Sequence, residues 1–118
     1  MNEFEVVFYE LPTGECPVEE FIGSLSPKMR AKMIGLMEIL EEKGNLLREP
    51  YSKHLKDGIF ELRCQLGNNI TRVLYFFYYQ KKIVVTNGFV KKTQKTPKEE
   101  ILLARQRRTD FVERMAAQ

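Results

Sequence analysis

The hydrophobic positions of this chain change period several times along its length, and each change marks an element. Residues 3–9, EFEVVFY, mix alternation with β-branched and aromatic side chains, which predicts a strand. Leu11-Pro12-Thr13-Gly14 reads as a turn. Pro17 to Leu25 predicts a short helix with Val18, Phe21, Ile22 and Leu25 on one side. Ser26-Pro27 then supplies a cap and a proline for the first helical position. Met29, Met33, Ile34, Met37 and Leu40 recur at helical spacing to about Lys43, and Gly44 is the expected stop. The methionines in that row read as core filler.

From residue 59 the period falls to two. Ile59–Leu66, Ile70–Tyr79 and Ile83–Val90 predict three strands, joined by Gly67-Asn68-Asn69 and by a turn near Gln80-Lys81-Lys82. Residues 45–58 read as a connector. Thr96-Pro97-Lys98-Glu99 matches a capping box, with Thr96 as the N-cap of a last helix carrying Ile101, Ala104, Phe111, Val112 and Met115. The expectation is an α+β fold of order β-α-α-β-β-β-α, an antiparallel sheet with helices packed on it. The 118 residues fit a single domain, and no internal repeat or low-complexity tract divides them.

Charge sharpens this outline. The net charge is only +3, yet residues 1–47 hold four Lys/Arg against nine Asp/Glu, while residues 48–98 hold eleven against three. A basic block of that kind attracts polyanions even in a nearly neutral protein. No stretch approaches the ~20 apolar residues of a membrane span, and the acidic N-terminus is unlike a signal peptide. Cys16 and Cys64 lie far apart without CxxC spacing and read as free thiols in a reducing cytosol. With one histidine and no Cys/His/Asp cluster, neither a metal site nor a cofactor is expected.

Alternation puts Ile59, Glu61, Arg63 and Gln65 on one face of the first hairpin strand, and Arg72 on a face with Leu74, Phe76 and Tyr78 of the next. A two-residue turn at Asn68-Asn69 would set Arg72 opposite Gln65 and Arg63 opposite Leu74, leaving the arginines diagonal neighbours. Two guanidinium groups on one face need an anion between them. Two readings stand: a carboxylate such as Glu61 neutralises them structurally, or they clamp a phosphate. Two further basic groups converge on the same face. Lys53, His54 and Lys56 lead into the hairpin, and Lys91, Lys92 and Lys95 leave the last strand. The aromatic run Tyr75–Tyr79 is either core on both faces or partly exposed for base stacking.

Certain pieces, in this order and spacing, resemble the HigB-type branch of the RelE/ParE toxin superfamily: Leu55-Lys56-Asp57-Gly58, Glu61-Leu62-Arg63, Arg72-Val73-Leu74-Tyr75, Gly88-Phe89, Lys91-Lys92-Thr93 and Lys95-Thr96-Pro97. The resemblance covers about Lys53 to Phe111. It implies the toxin of a type II toxin–antitoxin pair, cytoplasmic, with a HigA-like helix-turn-helix antitoxin as partner. It also implies a ribosome-dependent endoribonuclease that cuts mRNA. The alternatives are a ParE-like inhibitor of DNA gyrase and a non-catalytic nucleic-acid-binding domain. Arg63 and Arg72 match arginines that the RNase branch uses, and Lys91 and Lys92 match a motif near its active site. Lys53, His54, Lys56 and Lys95 would hold RNA or ribosome. The chain departs from the RelE pattern in having no His or Tyr near its C-terminus. RNA cleavage by its own 2′-OH needs a base, charge stabilisation and a proton for the leaving oxygen. A single histidine excludes a two-imidazole mechanism, which leaves His54, Glu61 or one of the lysines for proton transfer.

Overall fold

Glycine, proline and hydroxyl signals bound the elements of the computed structural model, which describes residues 3–91 and 95–118. Strand β1 is Glu5–Phe8, helix α1 Pro17–Gly23 and helix α2 Pro27–Lys43, followed by a 3-10 turn at Gly44–Leu46. Strands β2 (Ser52–Lys56), β3 (Ile59–Leu66), β4 (Asn69–Tyr78) and β5 (Lys82–Lys91) precede helix α3 (Lys98–Ala116). Ser26 caps α2 by accepting from the Met29 amide, Pro27 opens it, and Gly44 closes it at φ 56°. Gly44 is required twice over, because a Cβ there would lie 2.0 Å from the Phe4 ring.

The sheet runs β1-β5-β4-β3-β2. Strand β1 lies parallel to β5 and every other pair is antiparallel, so the sheet is mixed where a purely antiparallel one was expected. Helices cover both faces, and alternation sorts each strand between them. Leu62, Cys64, Val73, Tyr75, Ile83 and Val85 meet α1 and α2, where Met29, Met33 and Met37 fill the core. Ile59, Leu74, Phe76 and Val84 meet α3 through Ala104 and the half-buried Phe111. The aromatic run divides the same way: Tyr75 and Phe76 are buried, Phe77 and Tyr78 half-buried, and Tyr79 is exposed at the tip of the β4–β5 hairpin.

Three local expectations change. The connector at 45–58 contains a strand, β2, which folds back on β3 through Asp57-Gly58. Both residues have positive φ, 52° and 79°, as a type I′ turn requires, and Asp-Gly is a strong sequence signal for it. The β3–β4 loop is Gly67-Asn68 instead of Asn68-Asn69, since Gly67 supplies the positive φ of 61° at the first loop position, as in a type II′ turn. The pairing therefore slips by two residues, which keeps every side chain on its expected face but sets Arg63 directly opposite Arg72. Finally, Pro97 and not Thr96 occupies the N-cap of α3, which has no side-chain cap.

Candidate functional site

The α3 face of the β2–β3–β4 ladder carries the charged residues of the hairpin. The Arg63 amide donates 2.8 Å to the Tyr51 carbonyl, so it points away from β4. Arg63 and Arg72 are thus a non-hydrogen-bonded pair, the arrangement that brings facing side chains closest. Glu61, two residues back on the same face, resolves the repulsion. Arg72 Nη1 donates to Glu61 Oε1 at 2.8 Å, and Arg63 Nε stands 3.7 Å from the same oxygen. The other carboxylate oxygen, Oε2, accepts from the Thr96 hydroxyl.

Burial separates the two arginines. Arg72 and Glu61 are each 1% exposed, whereas a quarter of the Arg63 side chain, 25%, reaches solvent. Burial pulls the Arg72 guanidinium below its ordinary value, Glu61 opposes that pull, and Arg63 adds to it. Even so depressed, a guanidinium keeps its charge at any physiological pH. Arg72 and Glu61 therefore form the floor of the site, and Arg63 is the member that can meet a ligand.

A cleft of about 410 Å³ opens over that floor. Lys53 stands on β2 opposite Glu61, and Lys95 and Thr96 approach from the segment before α3. Leu55 and Ile101 supply apolar walls. The structure thus gathers Lys53, Arg63, Arg72 and Lys95 around one hollow with Glu61 as its lone described acid. An anion entering it meets the cations Lys53, Arg63 and Lys95, with the buried Arg72–Glu61 pair as the floor.

The remaining sequence candidates sit less directly. His54 borders the cleft, but its register partner is Phe60, on the α1–α2 face, and its ring packs 4.9 Å from Phe60. Its Nε2 accepts the Gly58 amide at 3.1 Å, which ties the imidazole to the β2–β3 turn. Lys56 is exposed opposite Ile59 and does not line the cleft. Lys91 ends β5 opposite Ile70, and Lys92 lies outside the described residues. Glu61, expected as a proton-transfer candidate, is buried with its carboxylate oxygens engaged by Arg72 and Thr96. Thr96, expected as a helix cap, has its partner 35 residues away, and the local sequence offers no sign of it. Among the described residues no group of three or more His, Cys, Asp or Glu could hold a metal ion.

Elsewhere, polar pins hold α3 on the sheet. Buried Asn87 donates to the Glu100 carbonyl and carboxylate, and Arg107 donates to the Thr86 carbonyl at 2.8 Å. The Tyr9 hydroxyl donates to Asp110 at 2.6 Å, and that bond, with Arg114 beside it, holds the Asp110 carboxyl below its usual range. Because α3 is fixed this way, the segment carrying Lys95 and Thr96 enters at a defined height over the sheet. No helix among the described residues is long and apolar enough to cross a membrane.

Among solved structures, the chain is similar to one from the crystal structure of the archaeal RelE–RelB complex of Pyrococcus horikoshii OT3. The TM-score is 0.51 at 18% identity, over 79% of this chain and 99% of that one, a likeness of fold. No curated protein matches in sequence. A family model described as "Phage derived protein Gp49-like (DUF891)" matches residues 20–109, from α1 through most of α3 and including every residue of the cleft. On that match the chain belongs to the Gp49-like family of phage-derived proteins.

Proposed function

We propose that this chain is the toxin of a type II toxin–antitoxin pair and acts as a ribosome-dependent endoribonuclease on mRNA, in the cytoplasm. The observation that carries the reading is the position of Arg63, part-exposed in a cleft that Lys53 and Lys95 also line, with Glu61 3.7 Å from its Nε. The RelE-like fold and the ordered motifs support the same reading.

In this mechanism the RNA backbone lies along the cleft with one phosphate at Arg63. The neighbouring 2′-oxygen attacks phosphorus and loses its proton. The bond to the 5′-oxygen breaks, and that oxygen takes up a proton. The products are a 2′,3′-cyclic phosphate and a 5′-hydroxyl. Arg63 stabilises the charge that builds on the phosphorane, with Lys53 and Lys95 as backbone contacts. Arg72 and Glu61 are positioning residues beneath it. Lys91, Lys92 and Lys95 remain the proton-transfer candidates once Glu61 is buried and His54 is turned to Phe60. Such a thinly equipped site depends on its substrate being held in the reactive geometry, which is the ribosome's part. A HigA-like antitoxin is the proposed partner.

Expression in growing cells, with mapping of mRNA ends, tests the reading. Cuts within translated messages that vanish in Arg63→Ala support it. Arrested growth with intact messages overturns it. One observation favours the gyrase alternative: the Glu61 carboxylate is taken up by Arg72 and Thr96 and the His54 Nε2 by the Gly58 amide, leaving lysines alone for proton transfer. A supercoiling assay with purified gyrase separates the two.

A further inference from the structure

Strand β2 is shorter than β3. Its pairing with β3 reaches Leu62 through Ser52, and one more bond joins the Arg63 amide to Tyr51. Beyond that point, among the described residues, no strand lies beside Cys64–Leu66 on the side away from β4. In an extended strand, backbone groups two residues apart point the same way. Gln65 therefore turns its N–H and C=O outward, as Arg63 does. The Lys32 ammonium already sits on that Gln65 carbonyl. An open edge of this kind invites pairing with another chain.

The edge also has a groove beside it, about 560 Å³, separate from the cationic cleft but sharing Arg63 with it. One wall is α2, through Gly35, Leu36 and the exposed Ile39, and the end is closed by Pro50 and Tyr51. Gly35 opens onto empty space, since a Cβ there would meet nothing within 4 Å. Two cations, Lys32 and Arg63, line the groove, and no acid is among its described residues.

We propose that the β3 edge at Arg63–Leu66 accepts an extended, acidic segment of a partner polypeptide as an added strand. The Gln65 amide and carbonyl bond its backbone, displacing the Lys32 ammonium. Alternate side chains of the segment enter the apolar groove against Ile39 and Gly35. Its carboxylates pair with Lys32 and Arg63. A second copy of this chain fits less well, because symmetric pairing of the two edges would set those cations against their own counterparts. RNA fits less well because the α2 wall offers a phosphate no donor besides Lys32. The site needs neither the ribonuclease nor the gyrase reading to hold.

The test uses the full chain, labelled with nitrogen-15, and a capped octapeptide of alternating valine and glutamate. Amide spectra and hydrogen exchange read the site. The expected result is that the Gln65 and Leu66 amides shift, with Gln65 exchanging at least about tenfold more slowly. The octapeptide of valine and lysine leaves them unmoved. Gly35→Glu, at an open helix position, should weaken the acidic peptide at least about tenfold by like charge while the apo spectrum stays folded. Gln65→Pro, which removes the outward N–H on an edge, should do the same. Four results overturn the proposal: no binding of the acidic peptide, shifts centred on Lys53 and Lys95 instead of Gln65, a dimer in sedimentation that itself protects Gln65, or protection of Gln65 by a uridine hexanucleotide.

Discussion

Arg63 and Arg72 stand directly opposite each other across β3 and β4, and the buried carboxylate of Glu61 lies against both. That relationship sets the energetics of the site. Burying an ion pair seldom stabilises a fold much, but removing one partner strands the other charge away from water. Glu61→Gln should therefore destabilise the protein by about 3 kcal/mol, read as a lower urea midpoint at unchanged slope. Glu61→Leu combined with Arg72→Met should lose less than the sum of the two single changes, because the pair then leaves together.

The two arginines should fail in different ways. Arg72→Ala leaves the Glu61 carboxylate buried without its 2.8 Å partner, and the expected outcome is a loss of about 3 kcal/mol with activity lost alongside the fold. Arg63→Ala removes a part-exposed group whose distance to Glu61 is 3.7 Å, so stability should change by less than about 1 kcal/mol while toxicity disappears. Thermal melts run beside a growth assay check both. A folded but inactive Arg72→Ala would place that residue in the chemistry and reverse the assignment.

Much of this was legible in the sequence because period and face are local properties. Alternation put Glu61 and Arg63 on one face of their strand, the hairpin turn carried Arg72 to the same face, and the register slip of two residues left that placement intact. Burial was not local. Whether Arg72 meets solvent depends on α3 lying over it, and nothing in RVLY reports that. Strand β2 was missed although Asp57-Gly58 announced its turn, because SKHLK shows little hydrophobic alternation beside an already paired strand. Parallel docking of β1 on β5 was equally hidden, since strands distant in sequence leave no turn signal between them.

Thr96 offers a sharp contrast between local and tertiary reasoning. As an N-cap it would tolerate Asp, a residue at least as good in that position. As the donor to Glu61 Oε2 it cannot, because Asp would set a second carboxylate against a buried one. Thr96→Asp should accordingly be more damaging than Thr96→Val, whose cost is the lost bond, about 1–2 kcal/mol. Thr96→Ser should be close to neutral. Melting temperatures of the three variants decide it, and a well-tolerated Asp would restore the capping role.

Alkaline pH should expose the other side of the sheet. Burial, eased by the hydroxyl contact with Ser52, pushes the Tyr75 phenol up to about 12 from 10.0. A group whose folded value is raised contributes stability that is whole below its unfolded value and is lost as pH climbs to the folded one. The window here runs from about pH 10 to about 12, where the unfolded chain ionises Tyr75 and the folded chain resists. Stability should fall across it by on the order of 2 kcal/mol from this residue. Tyr75→Phe removes the ionisable group while keeping the ring that stacks 5.5 Å from Phe60, so its stability curve should be flatter above pH 10. The variant should pay for that at neutral pH with the lost Ser52 bond, about 1 kcal/mol. Urea midpoints of both proteins at pH 8, 10 and 11.5 measure the difference, and parallel curves would remove Tyr75 from the alkaline transition.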